Sequence, residues 1–484
     1  MTREVGTGMN TSGDQYQNLN NTHNVGRKSS GFIQKSNWVN AFAKASYDYK
    51  KQAFINAVAL LDVSSNYGVE ENKAKVFPAV EAGFNFANMN FLQGNKTVTG
   101  LKLRGEYAVV PNSRFSNLYG RNYYKLNLFN DVSGVRREQI PNYQIAPEKV
   151  HNTEIGVDLG FLNDRISASV DLFSEKTKDM IVKDQLPSIY GFSDFYDNTG
   201  EMETNGFEVS LHARVINNAQ FKVSVGGNMT WMESEVKKLG KNNNISISKT
   251  NDVSLTYNVG GAANTFFGHQ SFGVFTSKHD ANQAALFRNT GQQFGAGDIH
   301  FMDKNDNHII EDIDRTSIGS SLPDFFGGVY AQIEWKKFSV FANFNYSVGN
   351  EVYNGLRRVY EGGDVFGNQA LSIKNRWQRE GDVTTIPKVS YLDPAGNNRF
   401  SSRWIEDGSF VRLKELTVNY ELPRSFLFFT GGNVFVSGEN LFTWSNYLGL
   451  DPELAYGNNV SMLGMDLGQV PNTRRVRLGL TLNF

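Results

Sequence analysis

The residues with the clearest potential for chemistry form an acidic, asparagine-rich segment at 303–314, D-K-N-D-N-H-I-I-E-D-I-D. Calcium loops of the EF-hand type place oxygen ligands at loop positions 1, 3, 5, 7, 9 and 12, with a backbone carbonyl at position 7. The residues at those six positions are Asp303, Asn305, Asn307, Ile309, Glu311 and Asp314, which predicts a Ca²⁺ site. Apart from this predicted site, the sequence requires no cofactor.

Three positions of this loop depart from the calcium pattern. His308 stands where the sharp turn favours glycine, Asn307 is neutral where Asp would add charge, and Asp314 has a shorter reach than the usual Glu. The alternative is a metal-free loop whose Asp and Asn side chains accept hydrogen bonds from its own backbone. Both interpretations stay open on the sequence alone.

Other catalytic and metal-binding patterns are missing from the sequence. The chain has no cysteine, which excludes disulfides, thiolate metal sites and cysteine nucleophiles. Its seven histidines are scattered without metal-ligand spacing, and neither a G-x-S-x-G elbow nor a P-loop occurs. We therefore predict that the protein is not an enzyme and has no catalytic residues.

The last strand indicates what kind of scaffold carries these residues. In the final segment, R-V-R-L-G-L-T-L-N-F at 475–484, Val476, Leu478, Leu480, Leu482 and Phe484 point one way and the intervening residues point the other. An outer-membrane β-barrel ends on such a strand, with a lipid face, a lumen face and an interfacial aromatic residue. The alternative from this segment alone is an edge strand of a soluble sandwich.

Alternating segments of this kind recur along the chain, joined by tight Asn, Asp or Lys turns on one side and long polar stretches on the other. This arrangement predicts an all-β fold, a transmembrane antiparallel β-barrel portion of about 13–14 strands. A break in the alternation between Leu413 and Leu416 predicts a bulge. The predicted strands are 37–49, 52–64, 76–87, 97–110, 153–161, 165–173, 206–215, 220–232, 326–335, 338–348, 409–422, 433–442 and 473–484. The predicted long loops are 111–150, 174–203, 233–264, 277–325, 349–407 and 445–472.

Composition agrees with a barrel and excludes some partners. The chain has 484 residues, a formal charge of -1 and 46 glycines, and its mean hydropathy is low at -0.41. The near-neutral charge argues against nucleic acid as a partner. No stretch approaches the ~20 apolar residues of a membrane-spanning helix, and no signal peptide is recognisable. We divide the chain into a polar loop or irregular lead-in at 1–35 and a barrel portion at 36–484.

Several segments together resemble the C-terminal barrel half of the SusC/RagA family of TonB-dependent outer-membrane transporters. The resemblance covers roughly residues 35–484 in order and spacing, and this family usually carries D-x-N-x-D-G where Asp303–His308 stand. The segments that carry it are 147–167, 176–181, 198–211, 297–319, 322–328, 375–382 (N-R-W-Q-R-E-G-D), 402–420, 437–453 and the final strand.

The resemblance implies a protein of the outer membrane of a Gram-negative, Bacteroidetes-like bacterium. Such transporters have a plugged barrel of 22 strands, so we expect this chain, with its plug and roughly eight strands unaccounted for, to complete a barrel with the N-terminal portion of the same transporter. The implied partners are a SusD-like surface lipoprotein, the TonB complex acting through that plug, outer-membrane lipid, and an oligosaccharide or oligopeptide ligand. The alternatives are a passive porin or smaller self-closed barrel, and a soluble β-rich carbohydrate-binding protein.

Overall fold

The structure of the protein, a computed structural model, describes residues 2–7, 28–33, 35–129, 132–192, 194–240, 246–250, 253–423, 430–454 and 462–484. Thirteen strands form one large sheet, in which each strand pairs antiparallel with the strands that precede and follow it. In chain order they are β1 Trp38–Tyr49, β2 Ala53–Ser64, β3 Ala74–Asn85, β4 Val98–Asn112, β5 Glu148–Phe161, β6 Ile166–Gln185, β7 Asp194–Asn217, β8 Phe221–Lys238, β9 Phe325–Trp335, β10 Phe338–Val348, β11 Phe410–Leu422, β12 Gly431–Ser445 and β13 Arg475–Asn483.

The two faces of this sheet differ in chemistry, as the alternation predicts. On β13, Leu478 and Leu480 are exposed and lie opposite Val436 and Val434 of β12. Contiguous exposed apolar rows of this kind are unfavourable in water but suit the lipid-facing side of a barrel. The opposite face carries mainly serine, asparagine and charged side chains, and we call it the lumen face.

The four longest connections of the sheet all lie at one end. The turn between β1 and β2 has Lys50 and Lys51 in the left-handed region, at φ 52° and 56°, which matches the twist of a tight hairpin. Similar short turns join β5 to β6, β7 to β8 and β9 to β10. Much longer connections follow β4, β8, β10 and β12, all at the other end, which is the pattern of a transmembrane barrel.

One prediction about an irregular segment was wrong. The long loop expected at 174–203 is mostly strand, because β6 continues to Gln185 and β7 begins at Asp194. A register shift between Thr177 and Met180 interrupts the alternation there. Outside the lipid both faces of a strand meet water, so an apolar residue at every second position is no longer required. Within the lead-in expected to be irregular, Thr2–Thr7 pairs with Lys28–Ile33; the division at residue 35 stays a prediction.

The bulge predicted between Leu413 and Leu416 is confirmed. Leu413 lies opposite Phe344 and Glu415 opposite Asn343, so Lys414 is an extra residue on β11. An inserted residue of this kind shifts the alternation by one position, so that apolar residues beyond the bulge again point to the same face, and it increases the local twist.

The long connections pack into a layer of their own, which we call the loop layer (residues 253–320, 350–407 and 462–467). One buried cluster includes Phe266, Tyr353, Trp404 and Met465, and a second is centred on Phe294 and Phe301. Two short helices, Lys278–Ala284 and Gly355–Glu361, belong to this layer. Among the described residues no helix has both the length and the apolar character needed to cross a bilayer.

The remaining short elements lie mostly in these connections. The strands are Tyr124–Phe129, Val132–Arg137, Ser246–Thr250, Val253–Tyr257, Thr265–His269, Ser271–Val274, Phe287–Arg288, Ile299–Phe301, Ile309–Ile310, Arg315–Ser320, Glu351–Asn354, Ile405–Asp407 and Met465–Asp466. The single turns of tight helix are Phe86–Asn88, Asn117–Gly120, Ser188–Tyr190, Asp312–Asp314, Leu371–Asn375 and Ser402–Trp404.

The large sheet has two open edges in the described part of the chain. Its strand order begins at β1 and ends at β13, with no hydrogen-bonded pairing between those two strands. The strands seen here therefore do not close into a smaller barrel by themselves.

Candidate functional site

A cavity of about 1050 Å³ lies on the lumen face, between the wall strands and parts of the long connections. Strands β6 to β10 form most of its wall, while Leu322, Pro323, Val352 and Leu463 from the connections line its other side. Its volume lies at the upper end of the range for sites that enclose small ligands.

Strand register places the polar wall residues in two parallel rows across five strands. Neighbouring strands are about 4.8 Å apart, so each row spans roughly 19 Å. The first row contains Ser167, His212, Gly226, Tyr330 and Asn343, and the second contains Ser169, Ser210, Asn228, Gly328 and Asn345.

Tyr330 is the fourth residue of the first row, and its side chain crosses the neighbouring Gly226. A Cβ atom at Gly226 would lie 2.7 Å from the Tyr330 ring, so the ring occupies the space that a side chain would fill. Its hydroxyl oxygen reaches Nδ1 of His212, two strands away, at 2.7 Å. The glycine thus lets the tyrosine ring lie across β8 and reach β7.

Several polar groups in the wall are available to a ligand. Within the part of the chain that the structure describes, the side chains of Ser167, Asn343 and Asn345 make no hydrogen bond. Two charged residues are found among the described lining residues, and both are paired: Asp158 with Arg104 (Nε to Oδ1, 3.5 Å) and Glu453 with Arg412 (Nη1 to Oε2, 3.0 Å).

Beside the cavity, Arg104 of β4 organises a cluster of carboxylates on the lumen face. Its Nη1 lies 2.7 Å from Glu154 of β5, and its Nη2 pairs with Asp171 of β6. Gly156 lies between Arg104 and Asp171 in the sheet, and a Cβ atom there would lie 2.6 Å from the guanidinium carbon. The cluster stiffens the wall through charge-assisted hydrogen bonds.

The loop that follows β12 is anchored to β11 by a buried ion pair. Arg412 is 2% exposed and pairs with Asp451, which also accepts hydrogen bonds from the backbone N–H groups of Glu453 and Asn472. Burial raises the pKa of Asp451, but these donors outweigh it and hold that pKa below its usual value. The anchor fixes Glu453 and Leu454 at the cavity rim.

In the loop layer, Trp404 is fully buried in contact with two guanidinium groups. The Cζ atoms of Arg403 and Arg357 lie 4.1 Å and 5.4 Å from its ring centroid. Burial lowers the pKa of Arg403 to about 10, although Glu361 acts in the opposite direction. Trp404 therefore packs the layer together rather than facing a ligand. Elsewhere in the layer, burial lowers the pKa of His269 to about 4, with the positive charge of Arg399 adding to the effect.

The predicted calcium loop is held by its own backbone. Asn305 Oδ1 accepts from the N–H of Asn307 at 3.2 Å, and Asn307 Oδ1 accepts from the N–H of Ile309 at 2.8 Å. The two carboxylate oxygens of Asp314 accept from the N–H groups of Lys304 and Glu311, at 3.0 and 2.7 Å.

The remaining polar groups of this loop bond mainly to one another and to its backbone. Glu311 Oε1 accepts from the Asn307 amide, and Asp303 Oδ2 accepts from the N–H of His308, which leaves Asp303 Oδ1 buried without a partner. His308 adopts φ 63°, the conformation for which the pattern favours glycine. No cluster of three acidic or histidine groups able to hold a metal occurs among the described residues. The calcium site and the metal-free alternative both stay predictions.

The wall residues of the cavity were not singled out by the sequence analysis. Alternation places Tyr330, Asn343 and Asn345 on the polar face, but nothing local shows that Tyr330 meets His212, which lies 118 residues earlier. The glycine within the polar face of β8 is the one sequence signal that a neighbouring large side chain crosses this strand.

Comparison with known proteins identifies the family. The family model for the TonB dependent receptor-like β-barrel matches residues 3–441. TonB-dependent receptor P3 of Formosa agariphila is 29% identical over 94% of this chain and 46% of its own length, and SusC of Bacteroides thetaiotaomicron is 25% identical over 95% and 45%. The chain thus spans about half the length of the curated relatives it matches.

A solved structure of the RagAB peptide transporter shares the fold. It superposes with a TM-score of 0.80 at 24% identity, covering 98% of this chain and 50% of that one. The relatives named here are outer-membrane proteins of Bacteroidetes and are not enzymes. The sheet, its long connections at one end and the family match agree, and the chain belongs to the TonB-dependent receptor β-barrel family, among its SusC/RagA-like members.

Proposed function

We propose that this chain forms the C-terminal wall of a TonB-dependent importer that takes up oligosaccharides or oligopeptides. The observation that carries the proposal is the large sheet itself, with a lipid-compatible outer face, a roofed polar cavity on the lumen face and two open edges. A wall of this kind conducts a large polar ligand when it is closed into a barrel.

The open edges support completion of the barrel by further strands. Unpaired backbone N–H and C=O groups in hydrocarbon cost several kcal/mol each, so β1 and β13 require neighbours in the membrane. A barrel of 22 strands with a plugged lumen fits a sheet in which thirteen strands come from this chain. The plug, supplied from outside these strands, is the part on which TonB acts.

The loop layer supports docking of a SusD-like surface lipoprotein. Phe366 is 90% exposed and contacts the ring of Tyr391, while Leu371 and Leu392 are also exposed on this layer. Exposed apolar groups of this kind favour a protein partner. The similarity to SusC adds to this argument.

Two experiments test the proposal. In the native bacterium, deletion of the gene should abolish uptake of the cognate oligomer, and dissipation of the proton-motive force should do the same in the intact strain. Purification from outer membranes without denaturation should recover the chain with a plug, further strands and a lipoprotein, as measured by intact mass. Uptake that survives loss of the proton-motive force, together with steady ion conductance of the purified chain, would instead identify a passive pore.

A further inference from the structure

We propose that the tight turn between β9 and β10 binds an anionic phospholipid of the inner leaflet of the outer membrane. Lys336 and Lys337 contact its phosphate, and the rings of Trp335, Phe338 and Tyr420 contact its glycerol and upper acyl chains. Short turns lie on the periplasmic side of a transmembrane barrel, which places this turn at the inner leaflet. The inference concerns the surrounding membrane, so it goes beyond the proposed function and does not depend on the imported ligand.

Three aromatic rings form a continuous surface beside this turn, which we call the aromatic platform (Trp335, Phe338 and Tyr420). The rings of Trp335 and Phe338 are stacked with centroids 6.4 Å apart, and the Phe338 ring lies 4.7 Å from that of Tyr420 on β11. Trp335 is 54% exposed and Phe338 47%, at the end of the lipid-facing rows that include Ile333 and Val340. Tryptophan and tyrosine concentrate at the membrane–water boundary. The platform therefore marks the level of the lipid headgroups.

The two lysines of the turn bring positive charge to the same level. Lys336 Nζ lies 5.5 Å from the ring centroid of Trp335, a cation–π contact that holds the ammonium group beside the platform. Within the part of the chain that the structure describes, neither Lys336 nor Lys337 has an ion pair or a side-chain hydrogen bond. A lipid phosphate next to the platform would supply the missing counter-charge through charge-assisted hydrogen bonds.

The acidic residues next to the platform in sequence lie on the other face of the sheet. Glu334 precedes Trp335 and Glu421 follows Tyr420, so strand alternation directs both carboxylates to the lumen face. Glu334 is in addition paired with Lys222, at 3.0 Å. These two carboxylates therefore leave the positive charge on the lipid-facing side of the turn free to attract an anionic headgroup.

The backbone of the turn is fixed on both sides by neighbouring strands. The N–H of Lys336 donates to the carbonyl oxygen of Gln220 at 2.9 Å, and the carbonyl oxygen of Lys337 accepts from the N–H of Glu421 at 2.8 Å. These bonds tie the turn to the start of β8 and to the end of β11. Because the two lysines start from a fixed backbone, less conformational entropy is lost when a headgroup binds.

A second tight turn repeats the arrangement. Lys50 Nζ lies 5.2 Å from the ring centroid of Tyr49, which is 49% exposed at the end of β1, and Lys51 follows. Lys50 and Lys336 also share the left-handed conformation, at φ 52° and 54°. An aromatic residue followed by two lysines thus stands at two of the four tight turns, as expected where one anionic surface lies beside both.

The test titrates two phospholipids into the transporter, purified with its partners from outer membranes and stripped of lipid in detergent. Phosphatidylglycerol and phosphatidylethanolamine with identical acyl chains form a matched pair, because both carry a phosphate but only the first has a net negative charge. Native mass spectrometry gives the dissociation constant of the most tightly bound lipid. We expect phosphatidylglycerol to bind about fivefold more tightly or better. Equal affinity for the two lipids would overturn the inference and indicate an adventitious layer of boundary lipid only.

Variants then locate the site. The double variant Lys336→Gln, Lys337→Gln should weaken phosphatidylglycerol binding roughly 10- to 30-fold, since each lysine near an anionic headgroup contributes about 1 kcal/mol. Trp335→Leu should weaken it roughly two- to fivefold, and Trp335→Tyr should weaken it less because an aromatic face is kept. The matched control is Lys237→Gln, Lys238→Gln, an adjacent lysine pair at the other end of the sheet, where Lys237 pairs with Glu235. It removes the same charge and should bind normally.

A photoreactive phosphatidylglycerol supplies a second measurement that does not rely on affinity. It should cross-link within residues 335–338 of the intact protein, and less in the double variant of Lys336 and Lys337. Unchanged affinity in that variant, with heat-modifiable migration showing an intact barrel, would overturn the site, as would cross-links confined to other surfaces. Capture of lipopolysaccharide in preference to phosphatidylglycerol by the same lysines would overturn the assignment to the inner leaflet. Uptake assays decide the proposed function separately, because none of these variants alters a residue of the lumen cavity.

Discussion

Arg104 on β4 and Asp171 on β6 form an ion pair across the intervening strand β5, because the residue that lies between them is Gly156. The same arrangement recurs where Tyr330 crosses Gly226 to reach His212. In both places a glycine on a middle strand lets a long side chain bond to a residue two strands away. Such crossings tie together three strands of the lumen wall.

The first prediction concerns Gly156→Ala. The added Cβ would lie 2.2 Å from Asp171 Oδ1, so the ion pair must separate and leave Asp171, which is 8% exposed, without its partner. We expect a loss of about 1–3 kcal/mol in stability, measured by thermal unfolding in detergent. Gly105→Ala is the matched control, since a Cβ there makes an ordinary contact at 3.8 Å. Equal stability of the two variants would contradict this account of the crossing.

The second prediction concerns the anchor between Arg412 and Asp451. Arg412→Leu leaves a buried carboxylate uncompensated, and we expect a loss of about 3–5 kcal/mol. Adding Asp451→Asn to this variant should recover part of that loss. Hydrogen exchange should show faster opening of 446–454 in the single variant.

An exposed ion pair of the same sheet provides the comparison for that anchor. Lys222 and Glu334 lie 3.0 Å apart near the short-turn end, with both side chains exposed by more than a third. Lys222→Met should cost less than about 1 kcal/mol, because water already screens this pair. An Arg412→Leu variant no less stable than Lys222→Met would show that the anchor does not hold the loop.

The third prediction is a pH dependence of the loop layer. His269 is buried against Phe301, and burial lowers its pKa from 6.5 to about 4. The unfolded chain therefore binds a proton at His269 at pH values where the folded chain does not. Its contribution to stability is complete above pH 6.5 and is lost as the pH falls from 6.5 toward 4, by on the order of 3 kcal/mol.

Thermal unfolding followed by tryptophan fluorescence at pH 7.5 and 4.5 measures this effect, because Trp404 lies in the adjoining core. His269→Gln should reduce the difference between the two values, whereas the exposed His279→Gln should leave it unchanged. The same pH dependence in all three proteins would rule out His269 as its source.

The fourth prediction concerns the loop at 303–314. Because its side-chain oxygens already accept hydrogen bonds from its own backbone, we expect the unfolding temperature to be the same in Ca²⁺ and in a chelator. Asp314→Ala, which removes acceptors for Lys304 and Glu311, should destabilise the layer by about 1–3 kcal/mol in either condition. A saturable rise in unfolding temperature with Ca²⁺, lost in Asp303→Asn, would establish the calcium site instead.

The strands illustrate what local sequence can reveal. The final strand was predicted from its alternation within a few residues, and β10 was predicted at its observed bounds, 338–348. β6 was predicted to end near residue 173 but continues to Gln185. The alternation is a reliable guide where one face meets lipid, and it fails where the strand rises into water and both faces accept polar residues.

The sequence by itself determined the all-β class, the two faces of each strand and the family, because a lipid boundary imposes a period of two on every crossing and the family segments keep their order. The tertiary structure alone decided the cavity and its wall. Whether Tyr330 meets His212, or Arg412 meets Asp451, depends on register and on loop packing between residues 118 and 39 positions apart. Such contacts are set by the alignment of whole strands, which no local pattern encodes.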